Sequence, residues 1–219
     1  MRKIGLSKTV TGYIIILILS LSVSSCSTVK VLPENATRLK GNEIEIINSK
    51  KIHKSELEPY LRQRVNSNFV FFENPFIYVY NWSSGKGTWW DKFVQSIGRA
   101  PVVFDSISVL KSEENIRNYL ESLGYFGTSV SYETVTKNRQ TVVKYTVTPG
   151  KRYKINSISY AIRDTNIRKI VLADTINSLL KVGDFLSEKM LTRESERLES
   201  LIRNNGYYNF SANYIFAEA

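Results

Sequence analysis

Few side chains of this sequence could do acid–base or nucleophilic chemistry. Its 219 residues include one histidine, His53, and one cysteine, Cys26. No serine stands in the G-x-S-x-G pattern of a hydrolase nucleophile, and the carboxylates are scattered instead of clustering at metal-ligand spacing. His53 stands at a predicted helix start, where we expect it to lie at the surface or to cap the helix. The sequence therefore predicts no catalytic residue, no metal site and no cofactor, and it argues against an exported hydrolase.

The first 25 residues have the pattern of a secretory signal peptide. Three basic residues precede an apolar run, Y-I-I-I-L-I-L, and small residues follow it. The run is shorter than the roughly 20 residues that a membrane-spanning helix needs. We therefore expect residues 1–25 to be removed on export, with a retained membrane-spanning helix as the weaker alternative.

Cys26 is the residue for which the neighbouring sequence predicts a modification. Val23-Ser24-Ser25 before it resembles the bacterial lipobox, in which the cysteine thiol carries a lipid through a thioether. The resemblance implies a covalent lipid (palmitate) on Cys26 and a chain anchored to a membrane without spanning it. Ser27, in place of an aspartate, resembles the default sorting of lipoproteins to the outer membrane, with the domains expected to face the periplasm. A free thiol in a clipped signal peptide is the alternative.

The chain is basic, with a net charge of +10 that falls to +7 once the three basic residues of the signal peptide are removed. In an exported protein this charge favours contact with anionic lipid headgroups or acidic clients. An ordinary solvated surface is the alternative. The basic residues are spread along the chain and form no stripe on a predicted helix, so binding to nucleic acid is not expected.

A helix, a glycine and an alternating strand occur twice in the sequence. In the stretch 116–132, apolar residues at helical spacing end at Gly124, and the side chains then alternate as in a half-buried strand. The stretch 198–216 repeats this order around Gly206. Two copies of one small α+β unit are therefore expected. The expected segments are a tether at 26–37, a first unit at 38–150 and a second unit at 151–219.

The first unit is expected to have the order β-α-(insertion)-α-β-β. Ser55 and Glu58 have the spacing of a capping box at the start of its first helix. Lys137-Asn138-Arg139 has the residues of a hairpin turn between its last two strands. The expected elements are a strand near 41–49, a helix from Ser55 to about Arg64, a helix capped by Ser112 and ending at Leu123, an edge strand at 127–135, and a central strand at 141–148.

The insertion in the first unit, at about residues 66–104, is longer than an ordinary connection and rich in aromatic residues. It contains all three tryptophans of the protein. One interpretation is an aromatic contact surface for the membrane interface or a partner, formed by Trp82, Trp89, Trp90 and Phe93. The other interpretation is that these rings cap the core of the small domain.

The second unit is expected to contain two helices between strands. A β-α-α-β-β unit needs one more strand after them than the 219 residues provide. The expected elements are a strand from Lys151 to about Tyr160, a helix beginning at Asp164 or Thr165, a helix capped by Ser187, and a strand from Tyr207 to Phe216.

Three motifs in these elements resemble POTRA domains, which belong to outer-membrane assembly and translocation proteins of the BamA/TamA type. They are L-G-Y-F at 123–126, its echo N-G-Y-Y at 205–208, and T-P-G-K-R-Y at 148–153. The lipobox and the segment 81–102 are similar to the lipidated TamA-like (TamL) proteins of Bacteroidota. The resemblance covers about residues 26–219 and implies a fold of tandem POTRA-like domains, the second lacking its last strand.

The resemblance also implies parts that the sequence does not contain. The family carries a C-terminal membrane β-barrel, so the chain is expected to be the N-terminal fragment of a longer product. The strand missing from the second unit would be the middle strand of its sheet, and a unit without it is expected to be unstable or prone to association. An inner-membrane TamB-like protein is the partner that the resemblance implies.

The function implied by the resemblance is a periplasmic binding module that holds unfolded outer-membrane proteins, or partner proteins, by adding a strand to a sheet edge. In the first unit that edge is expected along residues 127–135, because 141–148 would be central. A proline at Ser129 or Ser131 is then expected to weaken capture of a client. The alternative is a free-standing outer-membrane lipoprotein that tethers or scaffolds the assembly machinery. The edge residues expected to meet a client are Gly127, Thr128, Ser129, Val130, Ser131 and Tyr132.

Overall fold

A computed structural model shows how the chain folds and describes residues 28–66 and 75–218. The predicted signal peptide, Cys26 and Ser27 lie outside the described residues. So do residues 67–74 of the insertion, which include three of its phenylalanines.

Helices and strands are both present, and the fold class is α+β as predicted. The strands are β1 (Arg38–Ile46), β2 (Tyr125–Phe126), β3 (Ser129–Lys137), β4 (Gln140–Thr148) and β5 (Lys151–Arg152). The α-helices are α1 (Lys54–Leu57), α2 (Pro75–Asn81), α3 (Trp89–Ile97), α4 (Ser106–Ser122), α5 (Thr165–Ala173) and α6 (Glu188–Asn204). Short 3-10 helices follow at Glu58–Tyr60, Thr175–Asn177 and Ala212–Tyr214.

The main sheet has three strands in the order β1-β4-β3, so β4 is central. β1 runs parallel to β4, because the Arg38 N–H bonds to the Arg139 carbonyl and the Ile47 N–H bonds to the Val147 carbonyl (2.9 Å each). β3 and β4 form a hairpin around Asn138 and Arg139, whose φ angles of 51° and 58° are those of a two-residue type I′ turn. The predicted hairpin is therefore confirmed.

The described residues form two compact units by their spatial contacts. One comprises the described residues up to Glu43, Arg64–Ser106 and Thr134–Val143, and the other comprises Ile44–Gln63, Ile107–Glu133 and the residues from Lys144 onward. The sequence boundaries expected at 37/38 and 150/151 stay predictions.

Alternate side chains of β4 form the core face of the main sheet. Thr141, Val143, Tyr145 and Val147 are each no more than 2% exposed. The residues between them are half-buried or exposed, which is the period-2 pattern of a strand with one covered face. The strand that the sequence predicts at 141–148 is therefore confirmed.

Helix α4 begins six residues before the predicted cap, so the assignment of Ser112 as a helix cap is wrong. Ser112 is fully buried in the middle of the helix, on the face that also buries Val109 and Ile116. Its hydroxyl donates to the Ser108 carbonyl (2.6 Å) and accepts from the Arg62 N–H (2.9 Å). A serine can be buried inside a helix when its hydroxyl bonds the carbonyl four residues back, as here. The polarity of Ser112 therefore led to a predicted helix start that is six residues too late.

The first helix and first strand also differ from their predicted bounds. β1 ends at Ile46, and Asn48 follows with a left-handed φ of 59°, which ends the strand before residue 49. His53 is the N-cap of α1, as predicted for this residue, and its N–H donates to the Glu56 carboxylate (3.0 Å). The capping box predicted for Ser55 and Glu58 is wrong, because Ser55 lies inside α1 and Glu56 makes the capping bond. The α-helix stops at Leu57, because the ring of Pro59 opposes a continued α-helical turn and the chain continues as a 3-10 helix.

The L-G-Y-F motif and the T-P-G-K-R-Y motif meet in the compact unit that includes Ile107–Glu133 and the residues from Lys144 onward. β2 pairs antiparallel with β5, Tyr125 opposite Arg152 and Phe126 opposite Lys151. The Gly124 carbonyl accepts from the Tyr153 N–H (3.0 Å). Gly124 has a φ of +89°, and a Cβ there would lie 2.1 Å from the Leu186 carbonyl oxygen. We name this meeting point the β2–β5 junction.

Arg152 holds the β2–β5 junction together through its side chain. Its Nε donates to the Leu123 carbonyl (3.1 Å) at the end of α4. Its guanidinium lies 5.2 Å from the ring centre of Tyr125 and 4.3 Å from that of Phe185. Cation–π contacts of this kind each contribute about 0.5–2 kcal/mol.

From β5 onward, the two predicted helices are found, the strand predicted from Lys151 to about Tyr160 is short, and the strand predicted at 207–216 is absent. Asp164 caps α5 by accepting from the Asn166 and Ile167 N–H groups, and Ser187 caps α6. β5 ends at Arg152, and beyond it Lys154 forms a bridge with Phe185, flanked by backbone hydrogen bonds of Tyr153 and Ile155. A turn and a 3-10 helix replace the strand at 207–216.

The physical reason for the missing strands is the lack of a pairing partner. A strand needs a neighbour for its backbone N–H and C=O groups. No strand among residues 28–66 and 75–218 lies beside 207–216. Its apolar residues Tyr207, Phe210 and Ile215 instead pack on the buried cluster of Val171, Leu198 and Ile202.

A buried carboxylate ties α6 to the segment after α5. Glu194 is 3% exposed and accepts from Arg197, from the Ser178 hydroxyl (3.0 Å) and from the Leu179 N–H (2.8 Å). Arg197 also pairs with Asp174. Burial alone would raise the pKa of Glu194, but the hydrogen bonds, led by that from Arg197, hold it below its ordinary value.

Replacing Gly124 by alanine is expected to destabilise the protein much more than replacing Gly127. Both residues have positive φ, but only Gly124 lies against a backbone carbonyl; a Cβ at Gly127 meets nothing within 4 Å. Gly127→Ala should cost about 1 kcal/mol of unfolding free energy from backbone strain, and Gly124→Ala about 3 kcal/mol or more because the clash adds to the strain. Denaturant unfolding measures both. Equal losses would contradict the close approach at Gly124.

Replacing Arg197 by methionine is expected to lower the unfolding free energy by about 3 kcal/mol, because it leaves Glu194 buried without its cation. Denaturant unfolding at pH 7 measures this loss.

The pKa of Glu194 is lower in the folded state, so its stabilising contribution is present above about pH 4.3 and is lost as the pH falls towards the folded pKa. Between pH 7 and pH 3, the unfolding free energy should therefore fall less steeply in Glu194→Gln than in the parent. An equally steep fall in both proteins would contradict the stabilising contribution of the Glu194 carboxylate.

Candidate binding edge

β3 lies at one edge of the main sheet, with β4 on its inner side. No strand of the described part of the chain pairs with its outer side. The opposite edge differs, because the start of β1 is covered by the end of the insertion. The Leu39 N–H bonds to the Val102 carbonyl (2.7 Å), and Arg38 forms a bridge with Val103. β3 is therefore the more open of the two edges.

The type I′ turn fixes which backbone groups of β3 point outward. In such a two-residue hairpin the flanking residues, Lys137 and Gln140, exchange both hydrogen bonds, and residues on each strand then alternate inward and outward. Thr136 lies opposite Thr141, and their hydroxyls are 2.9 Å apart, which agrees with this register. The backbone N–H and C=O groups that point away from β4 are those of Val130, Tyr132, Thr134 and Thr136.

The six predicted edge residues lie in two different environments. Gly127 and Thr128 precede β3 and belong to the β2–β5 junction. Thr128 is 5% exposed, and its hydroxyl donates to the Tyr125 carbonyl (2.7 Å) and accepts from the Gly150 N–H (3.2 Å). The other four, Ser129 to Tyr132, lie on β3.

The predicted list of client-contacting residues ends at Tyr132; Thr134 lies within the predicted edge 127–135 but not on that list, and Thr136 lies beyond both. The predicted proline positions suit the test poorly, because the backbone N–H groups of Ser129 and Ser131 point towards β4. A proline at either position would break the hairpin before it tested the outer edge. The two-residue turn at 138–139 could have given this register from the sequence.

The composition of β3 protects its outer edge only lightly. Natural edge strands are often blocked by proline, by a bulge or by charged side chains, lysine above all. β3 contains no proline, and its lysine, Lys137, stands at the end beside the turn. Its other charged residue, Glu133, is exposed in the middle of the strand between Ser131 and Thr134. The small side chains of Ser131 and Thr134 allow another strand to approach the backbone.

The predicted aromatic contact residues are exposed. Trp89 (77%), Trp90 (44%) and Phe93 (50%) lie on α3, Trp82 (54%) directly follows α2, and none of the four is buried. The residues of α3 that face inward are Asp91 and Val94, which are 1% and 2% exposed. The rings of Trp90 and Phe93 are 5.8 Å apart between centroids. We name Trp82, Trp89, Trp90, Phe93 and Ile97 the aromatic face.

The position of α3 depends on Asp91, a buried carboxylate that the sequence analysis did not single out. Its side chain accepts from the N–H and hydroxyl of Ser84, the hydroxyl of Ser83 and the N–H of Thr88. Thr88 in turn caps the helix by accepting from the Asp91 N–H (3.2 Å). Burial alone would raise the pKa of Asp91, but these hydrogen bonds hold it well below its ordinary value. The S-S-x-x-x-T-x-x-D spacing was the available signal.

The described residues of the predicted tether, 28–37, are packed and hydrogen-bonded. The guanidinium of Arg139, in the hairpin turn, donates to the carbonyls of Leu32, Pro33 and Ala36. Thr28 is 4% exposed and accepts from the Gln140 side chain (3.1 Å). A role for Arg139 in holding this segment could not be read from the sequence, because its partners are about a hundred residues away in the chain.

Within residues 28–66 and 75–218, no group of three or more histidine, cysteine, aspartate or glutamate side chains could hold a metal ion. In that same part of the chain, no helix combines the length and apolarity that crossing a membrane requires.

Comparison with known proteins gives the family. The family model for POTRA, described as a surface antigen variable number repeat, matches residues 40–150, just over half of the chain. The chain belongs to the POTRA family. The matched residues contain the main sheet of this POTRA chain, the insertion and α4.

One solved structure similar to this POTRA chain is the crystal structure of Haemophilus influenzae BamA POTRA3-5. It is 10% identical, the match covers 81% of this chain and 89% of that chain, and the TM-score is 0.29. We draw nothing further from that likeness. No curated protein matches the chain in sequence.

Proposed function

We propose that this POTRA chain is a periplasmic partner-binding module of an outer-membrane protein assembly or translocation factor, and that it captures unfolded outer-membrane proteins by strand addition. The observation that carries the proposal is the open outer side of β3. A partner strand lying there would pair with the outward backbone groups of four residues, Val130, Tyr132, Thr134 and Thr136. Membership of the POTRA family supports the same role.

Backbone pairing suits a module that binds many partners. Each backbone hydrogen bond contributes about 0.5–1.5 kcal/mol net, whatever side chain the partner carries. Several such bonds give modest affinity without sequence selection. The module is proposed to act by binding alone, without catalysis.

The location of the module is proposed from the sequence. The lipobox supports a lipid on Cys26, an outer-membrane anchor and domains that face the periplasm. The segment 81–102 supports placement among the lipidated TamA-like proteins of Bacteroidota, with an inner-membrane TamB-like protein as a partner. A free-standing lipoprotein that scaffolds the machinery is the outcome favoured if the chain is lipidated but captures no client.

Replacing Thr134 by proline is expected to weaken client capture about tenfold. Thr134 is exposed, and its N–H points away from β4, so proline removes a donor to the client without removing a bond of the hairpin. The loss of one pairing bond and a worse fit of the added strand together correspond to about 1.4 kcal/mol. The measurement is the dissociation constant for a urea-unfolded outer-membrane barrel protein diluted into the binding assay.

Thr134→Ala is the matched control, because it removes the same side chain and keeps the N–H. It should bind like the parent, and both variants should unfold at nearly the parent's denaturant midpoint. Equal binding by Thr134→Pro and Thr134→Ala, with both folded, would refute strand addition at β3.

Replacing Cys26 by alanine is expected to abolish incorporation of labelled palmitate and to leave residues 1–25 attached. The thiol is the only group in the lipobox-like segment that can form the thioether. Palmitate labelling and intact mass, measured on protein from cells that process lipoproteins, give the result. Ser25→Ala, which keeps a small residue before the cysteine, should be labelled normally. Labelled palmitate on Cys26→Ala would show that the anchor lies elsewhere.

A further inference from the structure

We propose that the aromatic face of α3 lies in the interface of the membrane that holds the lipid anchor. The predicted partner of this face is thus a phospholipid surface. The proposal rests on the proposed lipid at Cys26 for its location, and on the described residues for the chemistry of the surface.

The aromatic face has the residues that lipid interfaces favour. Trp89, Trp90, Phe93 and Ile97 recur along α3 at helical spacing, and Trp82 directly follows α2, the helix that packs against α3. Each of them is at least 44% exposed. Tryptophan rings are amphipathic and concentrate at the level of lipid headgroups. A helix that buries its polar Asp91 and exposes its rings therefore fits a membrane surface better than water.

The charges around the aromatic face fit anionic headgroups. Lys86, Lys92 and Arg99 are exposed on the insertion. The one acidic residue between Pro75 and Phe104 is Asp91, which is buried and satisfied by its hydrogen bonds. Basic residues beside an apolar helix face are typical of helices that lie in the membrane interface. Between Pro75 and Phe104 the exposed charged side chains are therefore all cationic.

The aromatic face is held on a rigid support. α2 and α3 pack together as a pair. At the end of α3 the backbones approach so closely that a Cβ at Gly98 would lie 2.5 Å from the Tyr80 nitrogen. Thr88 and Asp91 fix the start of the helix. The rings are thus presented outward by packing, and folding them back would require breaking the Asp91 hydrogen bonds.

The beginning of the described chain is bound to the same helical pair. The Val31 N–H donates to the Asn81 side chain (3.2 Å) at the end of α2. Arg139 holds the carbonyls that follow Val31 in the chain. Two residue steps separate Thr28 from Cys26, so the lipidated residue lies within about 7 Å of Thr28 along the chain. A lipid on Cys26 therefore keeps this unit close to the bilayer.

Intrinsic fluorescence tests the proposal without a label, since the three tryptophans of the protein, Trp82, Trp89 and Trp90, all belong to the aromatic face. The full lipidated chain is reconstituted into vesicles of phosphatidylethanolamine and phosphatidylglycerol. We expect blue-shifted emission, quenching by lipids brominated near the headgroup end of the acyl chains, and at least twofold protection from aqueous iodide. Emission that stays red and fully quenched by iodide would overturn the proposal.

A double variant and a matched control locate the effect. Phe93→Ser with Ile97→Ser keeps all three tryptophans and should reduce quenching by brominated lipid at least twofold. Ile176→Ser with Val182→Ser removes two residues of comparable or greater exposure (88% and 64%) from the other compact unit and should change nothing. Equal quenching by brominated lipid in the parent and in the Phe93→Ser, Ile97→Ser double variant would contradict insertion of the aromatic face.

The same experiment separates this proposal from the proposed function. Mass spectrometry shows whether Cys26 carries lipid, and client binding to β3 is measured separately. A lipidated chain whose tryptophans remain in water overturns the membrane contact and leaves the proposed function standing. Tryptophans that enter vesicles in a chain without lipid support the membrane contact and refute the proposed anchor.

Discussion

The carbonyl of Leu186 lies where a side chain at residue 124 would begin, and the β2–β5 junction depends on this approach. The glycine lets α4 end in a left-handed turn and lets β2 pair at once with β5. Arg152 then donates to the Leu123 carbonyl, just after α4, and its guanidinium contacts the rings of Tyr125 and Phe185. Two of the three sequence motifs that suggested a family are thus the two sides of one contact.

The open edge of β3 presents backbone groups, whereas the aromatic face presents side chains. β3 contains no proline, and its recognition surface is the row of outward N–H and C=O groups. On α3 the backbone is satisfied within the helix, and the surface consists of rings. The first surface suits an unfolded chain, and the second suits a lipid interface. A short described segment, held by Arg139, connects the predicted anchor to the unit that carries the rings.

The sequence by itself determined the elements whose cause is local. The alternation of Thr141, Val143 and Tyr145 gave the central strand, and Asn138-Arg139 gave the hairpin. The helix starts at Asp164 and Ser187 followed from capping chemistry, which needs only the residues of one turn. The exclusion of catalytic and metal-binding chemistry in the predictions rested on composition, and the predicted lipid on Cys26 rested on its immediate neighbours.

Tertiary structure decided the features whose partners are distant in the chain. Ser112 looks like a cap in sequence, but packing of α4 places it in the core, where Arg62 and Ser108 satisfy its hydroxyl. The alternating residues of 207–216 predict a strand, yet no described strand lies beside them, so they pack on α5 and α6 instead. Whether aromatic residues of the insertion turn inward or outward depended on Asp91, whose hydrogen bonds fix α3. Such outcomes require knowing which backbone groups and surfaces meet, and spacing along the chain does not contain that information.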